Sequence, residues 1–314
     1  MSAQNRKRKS QAQVLVDRVA VVTGASRGAG RAIAAVLGEH GVTVYVTGRS
    51  VRGRPTTDNL PGTIEDTADE VTRRGGNGIP VQCDHANDAD VERLFKKVRD
   101  EQGRLHILVN NAWGGYEGLR LMPAFFWEAP LQLWDAMFER GVKAHLLATY
   151  FALPLMIETA TATSAKRPKV PGLVVSTVAW DRDKYIGNFY DVSKQAIVRL
   201  LWGLALELRE HNIATIALAP GFMRTERVMS HAGGETDWEK VPWLKKSESP
   251  EYIGRAVAAL AADPRLMSKT GRAFHVGELA REYGFTDIDG RRVSPFRIRE
   301  PFVEMVKKFQ KQKA

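Results

Sequence analysis

Hydrophobic positions in this chain come in short continuous runs, separated by longer stretches with a helical period. The runs lie near 18–23, 42–47, 78–83, 105–110, 172–177, 213–219 and 271–276, and most are dominated by Val, Ile, Leu and Ala. Unbroken apolar runs of this length predict strands buried on both faces, since one-sided strands alternate. Between them, apolar residues recur every three or four positions over 28–40, 62–74, 88–102, 130–163, 188–210 and 249–263, which predicts amphipathic helices. Strand and helix in alternation predict an α/β fold: one doubly wound parallel sheet, Rossmann-like, with helices on both faces. Right-handed crossovers create a switch point in such a sheet, and ligands bind beyond the C-terminal strand ends there.

The first predicted strand–helix–strand unit carries glycines at its turn: RVAVVTGASRGAGRAIAAVLGEHGVTVYVTGRS, residues 18–50. Gly24, Gly28 and Gly30, with Ser26 and Arg27 among them, form a loop that lets backbone approach a pyrophosphate at a helix N-terminus. The spacing G-x-x-x-G-x-G differs from the general dinucleotide fingerprint. An NAD site usually has an acid after the second strand, on the ribose 2′-hydroxyl. Here that exit reads Val46-Thr47-Gly48-Arg49, with no acid, and Arg27 adds a second cation. Two guanidiniums suit a 2′-phosphate, so NADP(H) is expected over NAD(H).

Tyr190 and Lys194 lie four apart in the helical run FYDVSKQAIVRLLWGLALELRE, on one face and one turn apart. A free Tyr titrates near 10, and a neighbouring ammonium favours its phenolate. A Tyr tuned this way exchanges a proton with a carbonyl or alcohol oxygen. The pair alone is common on solvated helices; the upstream nucleotide motif gives it meaning.

The ordered set TGASRGAG (Thr23 to Gly30), CDHAN (Cys83 to Asn87), LVNNA (Leu108 to Ala112), VVSTVA (Val174 to Ala179), YDVSK (Tyr190 to Lys194) and APGFMRT (Ala219 to Thr225) resembles the short-chain dehydrogenase/reductase family. The tail GELAREYGFTDIDG, Gly277 to Gly290, and the aromatic-rich stretch after Asn111 are similar to a narrower subgroup of it. The resemblance implies that Tyr190 protonates the carbonyl oxygen, that Lys194 also holds ribose hydroxyls, and that a strand-end hydroxyl orients the carbonyl. The family's 13-residue spacing points to Thr177; a one-residue loop insertion would select Ser176 instead, and both stay open. Asp84 is expected at the adenine, Asn111 and Ala112 on the ribose side, and Pro220, Gly221 and Thr225 beside the nicotinamide. Two positions depart from the pattern. Trp113 stands where the family has Gly, and Gly141 stands where it has the Asn that completes the proton relay. The family Asn holds a relay water by its main-chain carbonyl, which a glycine retains.

The 314 residues carry a net charge of +10, placed unevenly: +4 in residues 1–13, +3 in residues 304–314 and +3 between. We expect a disordered basic tail at 1–13, a catalytic domain at 14–290 and a basic C-terminal extension at 291–314. The extension has Phe302, Val303, Val306 and Phe309 at helical spacing, which suits packing on the core or a partner. Nucleic-acid or membrane binding through the basic ends is the weaker reading. No apolar stretch is long enough to span a membrane. The single cysteine, Cys83, excludes an intramolecular disulfide and a cysteine-based zinc site, and suits the cytoplasm; no metal is expected. Trp113, Tyr116, Phe125, Phe126, Trp127, Trp180, Tyr185 and Phe189 fall near strand ends and suit an apolar substrate pocket, and Phe222 to Lys246, with Gly233 and Gly234, read as a lid. The sequence thus predicts an NADP(H)-dependent oxidoreductase interconverting a carbonyl and an alcohol, as a homo-oligomer (dimer or tetramer). The alternative is a non-catalytic NADP(H)-binding sensor or scaffold, which would have no use for Tyr190 and Lys194.

Overall fold

The computed structural model describes residues 15–115, 117, 124–162, 171–179, 187–232, 237–295 and 302–313. Seven strands form one parallel sheet: β1 (Val19–Val22), β2 (Thr43–Gly48), β3 (Asn77–Gln82), β4 (Ile107–Asn110), β5 (Gly172–Thr177), β6 (Ile213–Ala219) and β7 (Arg272–His275). Their order is β3-β2-β1-β4-β5-β6-β7, so the winding reverses between β1 and β4. The switch point predicted from the pattern lies at that junction. Every pairing is parallel, with Val21 beside both Tyr45 and Leu108. All seven strands lie within a residue or two of the predicted runs.

Side-chain alternation splits the core in two. Ala20 and Val22 face one layer, packed with α1 (Gly28–Glu39), α2 (Ile64–Arg73) and α8 (Pro250–Ala261). Val19 and Val21 face the other, packed with α3 (Asp88–Gln102), α5 (Lys143–Thr161) and α6 (Asn188–Glu207). Local signals set the ends: the Thr63 and Asn87 side chains accept N–H groups of Asp66 and Asp90 and cap α2 and α3, and Gly103 closes α3 in the left-handed region.

Three elements differ from the pattern. The predicted helix over 130–163 is interrupted: α4 (Gln132–Met137) passes into a π-helical turn, Phe138–Val142, before α5 begins. The Gly114 N–H donates to the Arg140 carbonyl at 2.9 Å within that turn. Two short helices were not expected, α7 (Glu226–Ser230) and α9 (Val276–Tyr283). Helix α9 starts with a capping box, Glu278 reaching back to the His275 N–H. The C-terminal run does form a helix, α10 (Phe302–Lys313), with Val306 buried and Gln310 donating to Glu128 at 3.0 Å. No helix among the described residues is long and apolar enough to cross a membrane. The tail at 1–13 lies outside the described residues.

Candidate active site

After β1 the chain turns at Gly24, where φ is +61° and a Cβ would meet the Ala112 Cα at 2.7 Å. A Cβ on Gly30 would meet the Gly24 carbonyl oxygen at 2.4 Å. Only glycine lets this loop cross the β4 exit so closely. Asn111 locks the crossing: its Nδ2 donates to the Thr23 and Gly24 carbonyls at 3.1 and 3.0 Å. The amides of Asn111 and Ala112 both donate to Thr23 Oγ1. Asn111 therefore shapes the loop through its side chain.

A cleft of about 440 Å³ opens above this crossing. Gly24, Ser26, Arg27 and Gly28 line one side, Arg49 and Asp84 the far end, and Asn111, Ala112, Gly221 and Thr225 the inner side. Pro220 and Gly30 do not face it; Gly30 lies beneath the loop. The Gly28 N–H, at the start of α1, donates to the Glu226 carboxylate at 2.8 Å. A carboxylate thus occupies the helix N-terminus where an anion is favoured, so the cradle has the donors a nucleotide pyrophosphate needs. Asp84 Oδ1 accepts the Ala86 N–H at 3.0 Å in a tight turn and remains on the cleft wall.

The far end corrects one expectation. Glu117 forms an ion pair with Arg49 and lies 3.7 Å from Arg140, so an acid does stand beside the guanidinium. It comes from the loop after β4, far from the strand exit where the dinucleotide fold usually places its acid. Arg27 is also committed: it donates to the Thr57, Pro61 and Gly62 carbonyls and to Ser50 Oγ, at 2.9–3.1 Å. Burial lowers its pKa. It braces the 50–62 loop against the glycine turn.

Tyr190 and Lys194 on helix α6, like Ser176 and Thr177 on β5, do not line this cleft; Trp113, which does, packs against both Tyr190 and Lys194. The indole lines the cleft, meets Tyr190 edge-on with centroids 5.9 Å apart, and carries the Lys194 ammonium 3.4 Å above its centroid. Lys194 Nζ lies 5.8 Å from the Tyr190 ring centroid and 3.5 Å from the Thr177 carbonyl oxygen. Lys194 is buried, and desolvation pushes its ammonium down to about 7. Trp113 also explains Gly141: a Cβ there would land 2.6–3.0 Å from the indole ring. The two departures from the family pattern are one steric pair. Ser176 and Thr177 lie on opposite faces of β5; Ser176 is sealed at 1% exposure and Thr177 reaches 9%, its hydroxyl 3.5 Å from the Asn110 carbonyl. Phe126 and Phe189 pack 5.7 Å apart beside Tyr190, and Phe125 stacks on Trp127. Tyr116, Trp180, Tyr185, Gly233 and Gly234 lie outside the described residues.

Sequence reasoning missed the residues that hold the segment after β6. Glu248, buried, accepts the Gly221 N–H at 2.9 Å. Buried Asp287 accepts the Ser249 N–H at 2.8 Å and its hydroxyl, and lies 3.6 Å from Arg224. Arg227 pairs with Asp58 across the cleft mouth. The signal for this clasp was the DIDG tail, read as a subgroup mark without a structural role.

Fold and site together define an oxidoreductase of the doubly wound nicotinamide-nucleotide class. The short chain dehydrogenase family model matches residues 18–235, and the chain belongs to that family. It is 37% identical over 288 residues to mouse Dehydrogenase/reductase SDR family member 1, covering 88% of this chain and 85% of that protein. The human protein of that name is 36% identical over the same coverage. Among solved structures, a short chain dehydrogenase from Mycobacterium thermoresistibile superposes with a TM-score of 0.73 at 25% identity, over 89% of this chain and 92% of that one.

Proposed function

We propose that this enzyme is an NADP(H)-dependent carbonyl reductase or alcohol dehydrogenase acting on an apolar substrate. The observation that supports this most is the Tyr190–Lys194 pair on one face of α6, packed on the Trp113 ring that closes the nucleotide cleft. Gly24, Ser26, Gly28 and the start of α1 would hold the pyrophosphate, Asp84 the adenine end, and Asn111, Ala112, Gly221 and Thr225 the walls toward the nicotinamide, with Pro220 setting the turn before Gly221. A nicotinamide cofactor held there would supply the hydride that reduces the carbonyl carbon. Tyr190 gives its phenolic proton to the carbonyl oxygen, and Lys194 stabilises the phenolate left behind. A hydroxyl, Thr177 by spacing and exposure, with Ser176 as the alternative, donates to that oxygen and polarises it. Trp113, Phe126 and Phe189 supply an apolar wall.

Preference for the 2′-phosphate rests on Arg49 and Arg140 outnumbering Glu117 at the far end of the cleft. A desolvated guanidinium–phosphate bond is worth about 1.5–3 kcal/mol, or roughly 10- to 150-fold in affinity. The test is kcat/KM with NADPH and NADH over a panel of ketones, aldehydes and quinones. NADPH should win by at least about tenfold, Arg49→Asp should erase the preference, and Glu117→Gln should widen it. Equal use of both cofactors by the wild type would refute the assignment. Exposed Leu146 and Tyr150 on α5, with Val192, Trp202 and Leu206 on α6, support a homo-oligomer built on these helices; sedentation-type measurement of mass, by analytical ultracentrifugation, decides it. The lone buried thiol supports a cytoplasmic setting.

A further inference from the structure

One short piece of chain joins the far end of the cleft to the catalytic pair. Arg49, Trp113, Gly114, Glu117 and Arg140 all line the cleft. The Gly114 N–H donates to the Arg140 carbonyl at 2.9 Å, and the Glu117 N–H donates to the Gly114 carbonyl at 3.2 Å. Glycine alone fits between these groups. A Cβ on Gly114 would meet Arg140 Cβ at 2.8 Å, and one on Gly115 would land 2.8–2.9 Å from the Trp113 indole. On its other side the indole presses on Gly141, where a Cβ would lie 2.6–3.0 Å from the ring. The indole, the two glycines and Glu117 are thus packed as one unit. Groups packed this closely move between discrete arrangements and do not deform gradually.

Each end of this unit makes a charged contact. At the outer end the Glu117 side chain, 16% exposed, pairs with Arg49 and lies 3.7 Å from Arg140, so two guanidiniums face one carboxylate. A phosphate monoester carries about −1.5 to −2 charges at neutral pH, with three strong acceptor oxygens. It matches two guanidiniums better than a single carboxylate does, and it can take a guanidinium by two parallel hydrogen bonds. At the inner end the Trp113 ring holds the Lys194 ammonium 3.4 Å from its centroid and meets Tyr190 edge-on at 5.9 Å. An ammonium seated on a ring at that distance has that side closed to other partners.

We propose that Glu117 is a specificity-determining latch: a 2′-phosphate displaces its carboxylate from Arg49, and the release, carried through Gly114 and Gly115 to Trp113, frees Lys194 and Tyr190 for the reaction. The inference rests on the NADP(H) reading of the cleft. A ribose without that phosphate leaves the Glu117–Arg49 pair in place and the indole on the lysine. The choice between the two nucleotides is then read twice, once as affinity at Arg49 and once as the freedom of the catalytic pair. The step exchanges one ion pair for another, and no covalent bond changes.

The probe is adenosine 2′-monophosphate, with adenosine 5′-monophosphate as the control, since neither carries a nicotinamide. Hydrogen–deuterium exchange is followed on the full chain in peptides spanning Trp113 to Glu117. Saturating 2′-monophosphate should raise exchange there, and the 5′-monophosphate should not. Glu117→Gln should show the raised exchange without ligand and no further rise with it. That variant should bind the 2′-monophosphate about two- to fivefold more tightly, the range for releasing a partly exposed ion pair. In turnover, wild-type kcat with NADPH should exceed kcat with NADH by about the same two- to fivefold. The two kcat values should converge in Glu117→Gln, leaving the preference in KM alone. Exchange that is unchanged or lowered by the 2′-monophosphate, or raised equally by the 5′-monophosphate, would overturn the latch even if the variant failed to fold. Tighter binding of the 2′-monophosphate than of the 5′-monophosphate, without the rise in exchange, would sink the latch and leave the NADP(H) reading intact. Equal binding of the two would refute that reading and the latch with it.

Discussion

Replacing Lys194 by Met should stabilise the protein while abolishing turnover, because the site holds a lysine that the fold desolvates. Burial moves its pKa from 10.5 to about 7. That drop corresponds to roughly 4–5 kcal/mol of disfavoured protonation at neutral pH. Stacking on Trp113 returns about 1–2 kcal/mol, leaving a net cost of about 2–4 kcal/mol. At about 2.1 cal/mol/K of unfolding entropy per residue, the 314-residue chain gains roughly 1.5 °C per kcal/mol, so Lys194→Met should raise Tm by about 3–6 °C at pH 7. The sign of the pH dependence follows. Between about 7 and 10.5 the unfolded chain holds a proton on this lysine that the native state has lost, so wild-type stability rises with pH there. Below 7 both states hold it and the cost is constant. Urea unfolding of the cofactor-free proteins from pH 6.5 to 9.5 should show the Met variant ahead at neutral pH, its lead shrinking by up to about 1.4 kcal/mol per pH unit. A Met variant that is less stable, or whose lead does not change with pH, would refute the claim that the fold desolvates Lys194.

Thr177→Val should cut kcat by about 10²-fold, as expected for losing one carbonyl-polarising donor, and Ser176→Ala should stay within a few-fold. The reverse pattern, measured by steady-state kinetics, would assign the role to Ser176. Glu226→Gln should tighten NADPH binding by about 2- to 10-fold, since a carboxylate at the α1 N-terminus competes with the pyrophosphate for about 0.3–1 kcal/mol or somewhat more. Calorimetric affinity that is unchanged or weaker in the Gln variant would show that Glu226 does not compete for the cradle.

The sheet was legible because its strands are apolar on both faces. Continuous runs such as Val19–Val22 and Ile213–Ala219 leave little choice of structure, and the glycine turn fixes the switch point. The break in the long helix was not legible, because its cause lies about 28 residues upstream. Trp113 presses on Gly141, and neither residue announces the other in a one-dimensional pattern. The same limit hid Glu117, which reaches Arg49 from a loop far along the chain, and Glu226, which reaches Gly28 across 198 positions. Tyr190 and Lys194 were legible since four-residue spacing on a helix is a statement about space. Lys194's desolvation was not, because it depends on the ring laid beneath it. Helix α9 was missed because eight residues are too short to show a period.

The most direct test of the account is the turnover of Tyr190→Phe with NADPH and a carbonyl substrate that the wild type reduces, followed at the nicotinamide absorbance alongside fluorescence titration of NADPH. Loss of the proton donor should lower kcat by about 10²–10⁴-fold, with NADPH affinity nearly unchanged. Wild-type turnover by the Phe variant would contradict the account, because the proton would then come from elsewhere.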